Sequence, residues 1–481
     1  MTDNFQGKKI TVMGLGLYKQ GTGIEAVKFF LRQGARVTVT DLRGARELEA
    51  NVKELVKYWT GLRHRAKSIE RRAKNSKPLA LSPKLAFVFG KHRDEDFKNA
   101  DFIFQNPSVP ADSPYLRIAV KRKIPIINDW SIFLSRHTPK MFIGVTGTRG
   151  KSTTTALIHI MMKKTHGKVW LAGNLGASPL SFIDTYKGEP IVAELSSWLL
   201  HHFPTAKKSP NIAVVTNIMN DHLDKYGSMK EYIADKENIF RFQKRNDVLV
   251  LNRENTYTRT MAKRARGRVV WFNGGATAYA KCSKLQGEHN AANINAAVSA
   301  AQVAGVSPVH IMDALKAFKG LPSRLQLVRN ARGVKYYNDT TATTPEATIA
   351  ALKTLSAGNS KFEILRPRRI RLGRRNSKQI ILIGGGADKK LDYREMLQYV
   401  KKYCKAVVLL PGTATSKLKL EIRNWKLEIG DAKNMKIAVK SAAIMAKDGD
   451  VVLLSPAAAS FGLFRNEFDR GKQFVDAVKK L

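Results

Sequence analysis

Ile143-Gly-Val-Thr-Gly-Thr-Arg-Gly-Lys-Ser-Thr-Thr-Thr155 is an apolar run that stops at glycines, then a lysine, then hydroxyl residues of the kind that open a helix. That order describes a phosphate cradle at a strand-to-helix turn. Gly147 and Gly150, flanking Thr148, let backbone N–H groups close on anionic oxygens. Lys151 brings a mobile positive charge, and Ser152 or Thr153 offers a hydroxyl to magnesium. The expected ligand is ATP. The longer form of the pattern would place a glycine at position 145, where the chain has Val145, so this is the shorter form found in a narrower set of ATP-using ligases. A purely structural glycine turn is the competing reading.

Working outward, the next apolar runs are Ile191-Val-Ala193, Ile212-Ala-Val-Val-Thr216 and Val248-Leu-Val-Leu251. They are short and do not alternate, as expected of parallel strands buried on both faces. Upstream, Ile10-Thr-Val-Met-Gly-Leu-Gly16 leads into a helical pattern through Ile24, Val27, Phe30 and Leu31, then a strand, Arg36-Val-Thr-Val-Thr-Asp41. This predicts the opening βαβ unit of a nucleotide-binding fold with Asp41 at a strand end, although a plain αβ turn accounts for Gly14 and Gly16 about as well. Downstream of Leu321-Pro-Ser-Arg324 the pattern repeats through Val334–Tyr337, Gln379–Ile383, Ala406–Leu410 and Asp450–Leu454. The chain reads as α/β in three segments, 1–128, 129–320 and 321–481.

Composition narrows the class. The 481 residues, 43% apolar, can bury more than one core. Two cysteines leave no disulfide framework, and no stretch approaches the roughly 18 apolar residues that span a bilayer, so the cytoplasm is the expected compartment. Lysine and arginine number 83 against 39 acids, a net +44, which attracts any polyanion at low salt. Much of the excess lies in Arg63–Lys74 and Leu365–Lys378, which read as surface insertions. Neither interleaves aromatics with its basic residues as base stacking would require, so nucleic acid is expected to bind only nonspecifically.

Three further groups suit a metal beside phosphates. Glu194 ends a strand in Ala193-Glu-Leu-Ser-Ser197, His222 lies in Asn217-Ile-Met-Asn-Asp-His-Leu-Asp224, and Lys236 lies in Tyr232-Ile-Ala-Asp-Lys-Glu-Asn-Ile-Phe240. Carboxylate and imidazole can ligate magnesium; a solvated strand end and a structural histidine are the plainer alternatives. Tyr232 and Phe240, four residues to either side of Lys236, predict an apolar helical face. There a lysine would snorkel its amine to water unless carbamylation converted it to a carboxylate-like ligand.

Taken together these motifs resemble the Mur ligases, most closely the branch that joins D-glutamate to UDP-N-acetylmuramoyl-L-alanine. The resemblance spans nearly the whole chain. It also takes in Gly173-Asn-Leu-Gly176, His289-Asn-Ala-Ala-Asn293, Asn338-Asp339 and Ser455-Pro-Ala-Ala-Ala-Ser460. It implies three domains: a Rossmann-like one for the UDP end of the substrate, a central P-loop ATPase-type one with a mostly parallel sheet, and a C-terminal Rossmann-like one for the amino acid. The implied chemistry is ATP-driven amide formation through an acyl phosphate in peptidoglycan precursor synthesis, by a monomer. By motif, Lys151, His222, Lys236 and Arg324 would be catalytic. Gly147, Thr148, Gly150, Lys151, Ser152, Thr153, Asn293, Arg324 and Asp339 would bind ATP. Ser152 and Glu194 would hold one magnesium, His222 and a carbamylated Lys236 a second. Gly16, Asp41 and Asn174 would face the UDP substrate, and Thr343, Lys389 and Ser460 the D-glutamate.

Some positions depart from the family pattern. Its Pro-Gly-Val-Pro is Pro107-Ser-Val-Pro110 here, removing a conformation that glycine makes easy. Its Asp-Ser-Lys-Ala-Thr is Asp339-Thr-Thr-Ala-Thr343, and Glu467 stands where an aromatic is common. These bear on the acceptor amino acid. Another Mur ligase with a different acceptor is the near rival; a basic nucleic-acid-binding P-loop ATPase is the rival from a different class. A nicotinamide dehydrogenase would rest on Gly14 and Gly16 alone.

Overall fold

The computed structural model describes residues 4–17, 21–72, 84–220, 226–285, 287–357, 379–389 and 391–481, without the side chains of 65–72 and 357. The architecture is α/β, with three sheets in chain order. The first contains β1 (Lys9–Met13), β2 (Arg36–Asp41), β3 (Leu85–Phe89), β4 (Phe102–Gln105) and β5 (Ile126–Ile127), all parallel, in the order β3-β2-β1-β4-β5. The second contains β6 (Phe142–Thr146), β7 (Trp170–Gly173), β8 (Ile191–Glu194), β9 (Ile212–Val215), β10 (Val248–Asn252) and β11 (Arg268–Phe272), in the order β11-β10-β9-β6-β8-β7. Every residue of β6, β8, β9 and β10 is buried, which is why these runs carry no alternation.

The third sheet contains β12 (Gln326–Ala331), β13 (Val334–Asn338), β14 (Ile380–Gly384), β15 (Cys404–Leu409), β16 (Glu428–Asp431) and β17 (Val451–Leu454), ordered β12-β13-β17-β14-β15-β16. Only the β12–β13 pair is antiparallel. An apolar cluster lies on each face.

By compactness the chain divides into two units, 1–282 with 289–317, and 283–288 with 318–481. The first two sheets share one unit because a common core joins them. The helix Asp129–Arg136 begins with a reciprocal cap between Asn128 and Ser131, at 2.8 and 2.9 Å. It buries Trp130, stacked on Phe142 of β6 at 5.1 Å, and Phe133 edge-on to Phe182. Position 129 therefore lies inside a packed core.

Asp129 of this helix is buried and accepts from Ser178 Oγ and from the Trp130 amide, both at 2.9 Å. Burial pushes its carboxyl from 3.8 up to about 6, against the lowering effect of those bonds. The folded chain thus holds this proton more tightly than the unfolded chain. Its stabilising contribution is complete below about pH 4 and is lost as pH rises through about 6. Asp129→Asn, which cannot ionise, should gain melting temperature relative to wild type between pH 4.5 and 7.5, by an amount on the order of several degrees. An unchanged difference between the two proteins across that range would contradict the assignment.

The basic run 63–74, read from the sequence as a surface insertion, instead continues regular structure as far as Arg72, in a 28-residue helix, Ala45–Arg72. The second run, 365–378, lies outside the described residues. Among the described residues no helix is long and apolar enough to cross a membrane.

Candidate active site

The loop between β6 and the helix Lys151–His166 is built against its neighbours. Gly147 has φ 145° and Gly150 φ 83°. A Cβ at Gly147 would meet Thr216 Oγ1 at 2.0 Å, and one at Gly150 would meet Asn293 Oδ1 at 2.0 Å, so both positions need glycine for space as well as for conformation. Asn217, just beyond β9, takes two loop amides, Thr148 N through its carbonyl at 2.8 Å and Arg149 N through Oδ1 at 2.9 Å. Thr216 Oγ1 donates to the Arg149 carbonyl at 2.6 Å. With the amides of 148 and 149 spent inward, the loop leads into the N-terminal end of the helix that begins at Lys151, the end of a helix that favours an anion. Thr148 is buried and bonded to Tyr232 Oη at 3.2 Å and to the Met219 amide at 2.9 Å, which makes it scaffolding for the loop.

Two lysines converge on this loop. Lys151 Nζ donates to the carbonyls of Gly147, at 3.1 Å, and Thr148, at 2.9 Å. Lys236 Nζ donates to the same Gly147 carbonyl at 2.8 Å and lies over the Tyr232 ring, 4.6 Å from its centre. Lys236 is 2% exposed, which overturns the snorkelling alternative. The aromatic face foreseen for it is half right: Tyr232 shares its helix, Met229–Glu237, but Phe240 lies beyond the helix end. Two ammonium groups on one carbonyl oxygen, at the positive end of a helix, make a strongly electropositive point.

Glu194 ends β8 in register with Val145 of β6, at 5% exposure, and among the described residues no donor pairs with its carboxylate. A buried carboxylate beside a phosphate loop, with the Ser152 hydroxyl in the helix's first turn, is a donor set of the hard-oxygen kind that suits magnesium. His222 lies outside the described residues. Among those described, no group of three or more His, Cys, Asp or Glu could hold a metal. As an ammonium, Lys236 does not fit a metal.

In the first sheet, Asp41 is spent on the glycine turn. Its Oδ2 accepts from the amides of Leu15, at 2.9 Å, and Gly16, at 3.3 Å, while its Oδ1 accepts from the Arg43 amide at 3.0 Å. It shapes the turn from behind, at 3% exposure. Asn174 is exposed, with its amide on the Glu194 carbonyl at 3.0 Å. Ser108 carries none of the backbone cost expected of it. It is not among the residues with positive φ, and its amide and hydroxyl both donate to Asn106 Oδ1, at 3.1 and 3.0 Å.

The second unit gathers its candidates at the ends of β13, β14 and β17. Asp339 accepts from the Leu325 amide at 3.1 Å and from Ser455 Oγ at 3.0 Å. Burial pushes its carboxyl up to about 7, with those bonds and Arg324 opposing. Arg324 is exposed, between Ser323 (φ 66°) and Leu325 (φ 43°), two residues held in the left-handed region. Lys389 Nζ donates to Thr343 Oγ1 at 3.1 Å, and the Ala387–Ala459 pairing brings the loop of Lys389 alongside that of Ser460. Thr341 does not join this group, since its hydroxyl donates to the Ser323 carbonyl at 2.9 Å. Sequence reading missed Asn217, although the motif containing it was quoted, and Arg470, for which no motif gave a signal.

A mostly parallel sheet whose first strand runs through a glycine turn into a lysine-headed helix defines an α/β protein of the phosphate-loop class. Residues 145–282 match the model of the Mur ligase middle domain, and 323–458 that of the Mur ligase glutamate ligase domain. The UDP-N-acetylmuramoylalanine--D-glutamate ligase of Roseiflexus sp. (strain RS-1) is 39% identical, covering 98% of each chain. The enzyme of the same name from Borreliella afzelii is 32% identical over 100% of this chain and 99% of that one. Among solved structures, the UDP-N-acetylmuramate-alanine ligase MurC of Thermotoga maritima superposes with a TM-score of 0.60 at 18% identity, covering 98% and 99% of the two chains. The MurF ligase of Thermotoga maritima, in complex with ADP, gives 0.53 at 18% identity over 80% and 91%. The chain belongs to the Mur ligase family.

Proposed function

We propose that this Mur ligase uses ATP to join D-glutamate to UDP-N-acetylmuramoyl-L-alanine through an acyl phosphate, a step of peptidoglycan precursor synthesis. The observation that carries the chemistry is the convergence of Lys151 and Lys236 on the Gly147 carbonyl at the start of a helix. The choice of acceptor is supported by near-full-length similarity to ligases that bear D-glutamate in their names.

A carboxylate approaching the γ-phosphate of ATP brings two anions together, so positive charge must be in place before they meet. Lys151 and the N-terminal end of its helix supply it, and Asn217 holds the loop so that little reorganisation is needed. The carboxylate oxygen bonds to phosphorus as ADP leaves. The amine of D-glutamate then attacks the acyl carbon and phosphate departs with that oxygen. Magnesium bound by Ser152 and Glu194 would neutralise phosphate charge.

Carbamylation of Lys236 belongs to the same proposal. Two like charges on one carbonyl oxygen repel each other, and a carbamate would replace one of them by an anion able to share a metal with His222, the other ligand that the family resemblance implies. Asn293, Asp339 and Arg324 are assigned to the nucleotide, Gly16 and Asn174 to the UDP substrate, with Asp41 acting behind them by holding the glycine turn, and Thr343, Lys389 and Ser460 to D-glutamate. The division into domains 1–128, 129–320 and 321–481, a monomeric state, a cytoplasmic location and nonspecific attraction of polyanions by the basic surface complete the reading.

The test is phosphate release from ATP in the presence of UDP-N-acetylmuramoyl-L-alanine, scanned over amino acids. D-glutamate should support turnover, and L-glutamate, meso-diaminopimelate and D-alanyl-D-alanine should not. Preferential use of one of the latter would move the chain to a sister ligase.

A further inference from the structure

The last helix, Glu467–Lys479, carries a buried cation that belongs to none of the motifs above. Arg470 is 0% exposed. Its Nε donates to Thr340 Oγ1 at 3.0 Å, its Nη2 to the Thr340 carbonyl at 2.9 Å and its Nη1 to the Ala458 carbonyl at 3.1 Å. Taking a guanidinium out of water is costly, and an apolar side chain of similar volume would pack here without that penalty. Burial pushes its pKa down to about 10, with Glu467 opposing. What the guanidinium provides that an apolar side chain could not is a rigid, planar set of donors.

Those donors end on two separate loops. Thr340 sits in the loop that leaves β13, between Asp339 and Thr343, and Ala458 in the loop that leaves β17, two residues before Ser460. Close approach of the helix is allowed by Gly471, where a Cβ would meet Thr340 Cγ2 at 2.6 Å. The Thr340 hydroxyl completes the clamp by donating to the Glu467 carbonyl at 2.9 Å. A further bond between the loops, Ala457 N to the Ala342 carbonyl at 2.9 Å, keeps them in register.

We propose that Arg470 is a positioning residue for the acceptor amino acid, a single guanidinium that sets the spacing of the loops carrying Thr343 and Ser460. The inference rests on the reading that these loops hold D-glutamate. Arg470 is sealed from solvent and does not touch substrate; it acts through the loop backbones and the Thr340 hydroxyl. Its loss therefore falls on acceptor affinity and leaves binding of the UDP substrate alone.

The experiment measures KM for each substrate on the full-length enzyme, in wild type and in Arg470→Gln, Arg470→Lys and Thr340→Val. Arg470→Gln should raise KM for D-glutamate by about ten- to a hundredfold, as loss of alignment does, with KM for UDP-N-acetylmuramoyl-L-alanine changed by less than about twofold. Arg470→Lys keeps the charge but not the fork, and should resemble the Gln variant. Thr340→Val keeps the shape and removes one acceptor, so it should raise the D-glutamate KM by a smaller factor; it carries the test if the Arg470 variants do not fold. Equal changes in both KM values, an unchanged D-glutamate KM or full recovery in the Lys variant would overturn the proposal. If wild type instead turns over another amino acid, the acceptor assignment fails, and the same comparison made with that amino acid still decides the role of Arg470.

Discussion

Replacing Lys151 by alanine is expected to slow ATP-dependent ligation by on the order of 10²–10³-fold, the loss typical of removing one preorganised group that meets transition-state charge. Lys151 stands at the head of its helix, half-buried, and its ammonium bonds carbonyls of its own loop. It is not part of the hydrophobic core. The variant should therefore keep its circular dichroism spectrum and its melting temperature while losing turnover. Near wild-type ligation by the folded variant would show that the loop does not serve phosphate transfer.

Lys236→Ala should be about as damaging, but for a different reason and with a different remedy. Its ammonium is buried on the Gly147 carbonyl, so deletion removes a group from the centre of the loop. If the working form is the carbamate, a short carboxylic acid such as acetate should fill the space and restore part of the activity, since it supplies the missing oxygens. If the working form is the ammonium, acetate should do nothing and a small amine should rescue instead. Mass measurement of the intact wild-type protein in bicarbonate gives a second readout, a gain of about 44 Da that is lost in the variant.

What could be read from the sequence follows from how local each signal is. The phosphate loop was legible because glycine, lysine and hydroxyl residues must follow one another there, and the buried parallel strands because burial on both faces removes alternation. Pairings between distant residues were not. That Asn217 takes the amides of Thr148 and Arg149, that Asp41 turns back on Leu15 and Gly16, and that Arg470 ties Thr340 to Ala458 depend on where the sheet brings strand ends together. Position 107–110 shows the reverse error. Serine in place of glycine suggested backbone strain, and an Asx-type turn onto Asn106 absorbs it without any. β12 went unrecognised because it is short and half-exposed, with no apolar run, and its antiparallel pairing comes from a tight turn at Gly333.

The central claim is that a substrate carboxylate is phosphorylated before the amide forms, and it is tested most directly by oxygen transfer. UDP-N-acetylmuramoyl-L-alanine labelled with 18O in the alanyl carboxylate is incubated with ATP, D-glutamate and the enzyme, and the released phosphate is analysed by mass spectrometry. Direct attack of carboxylate on the γ-phosphate predicts that each phosphate released with an amide carries one oxygen from the substrate. Phosphate free of the label, formed while amide accumulates, would mean that water receives the phosphoryl group, and would contradict the account.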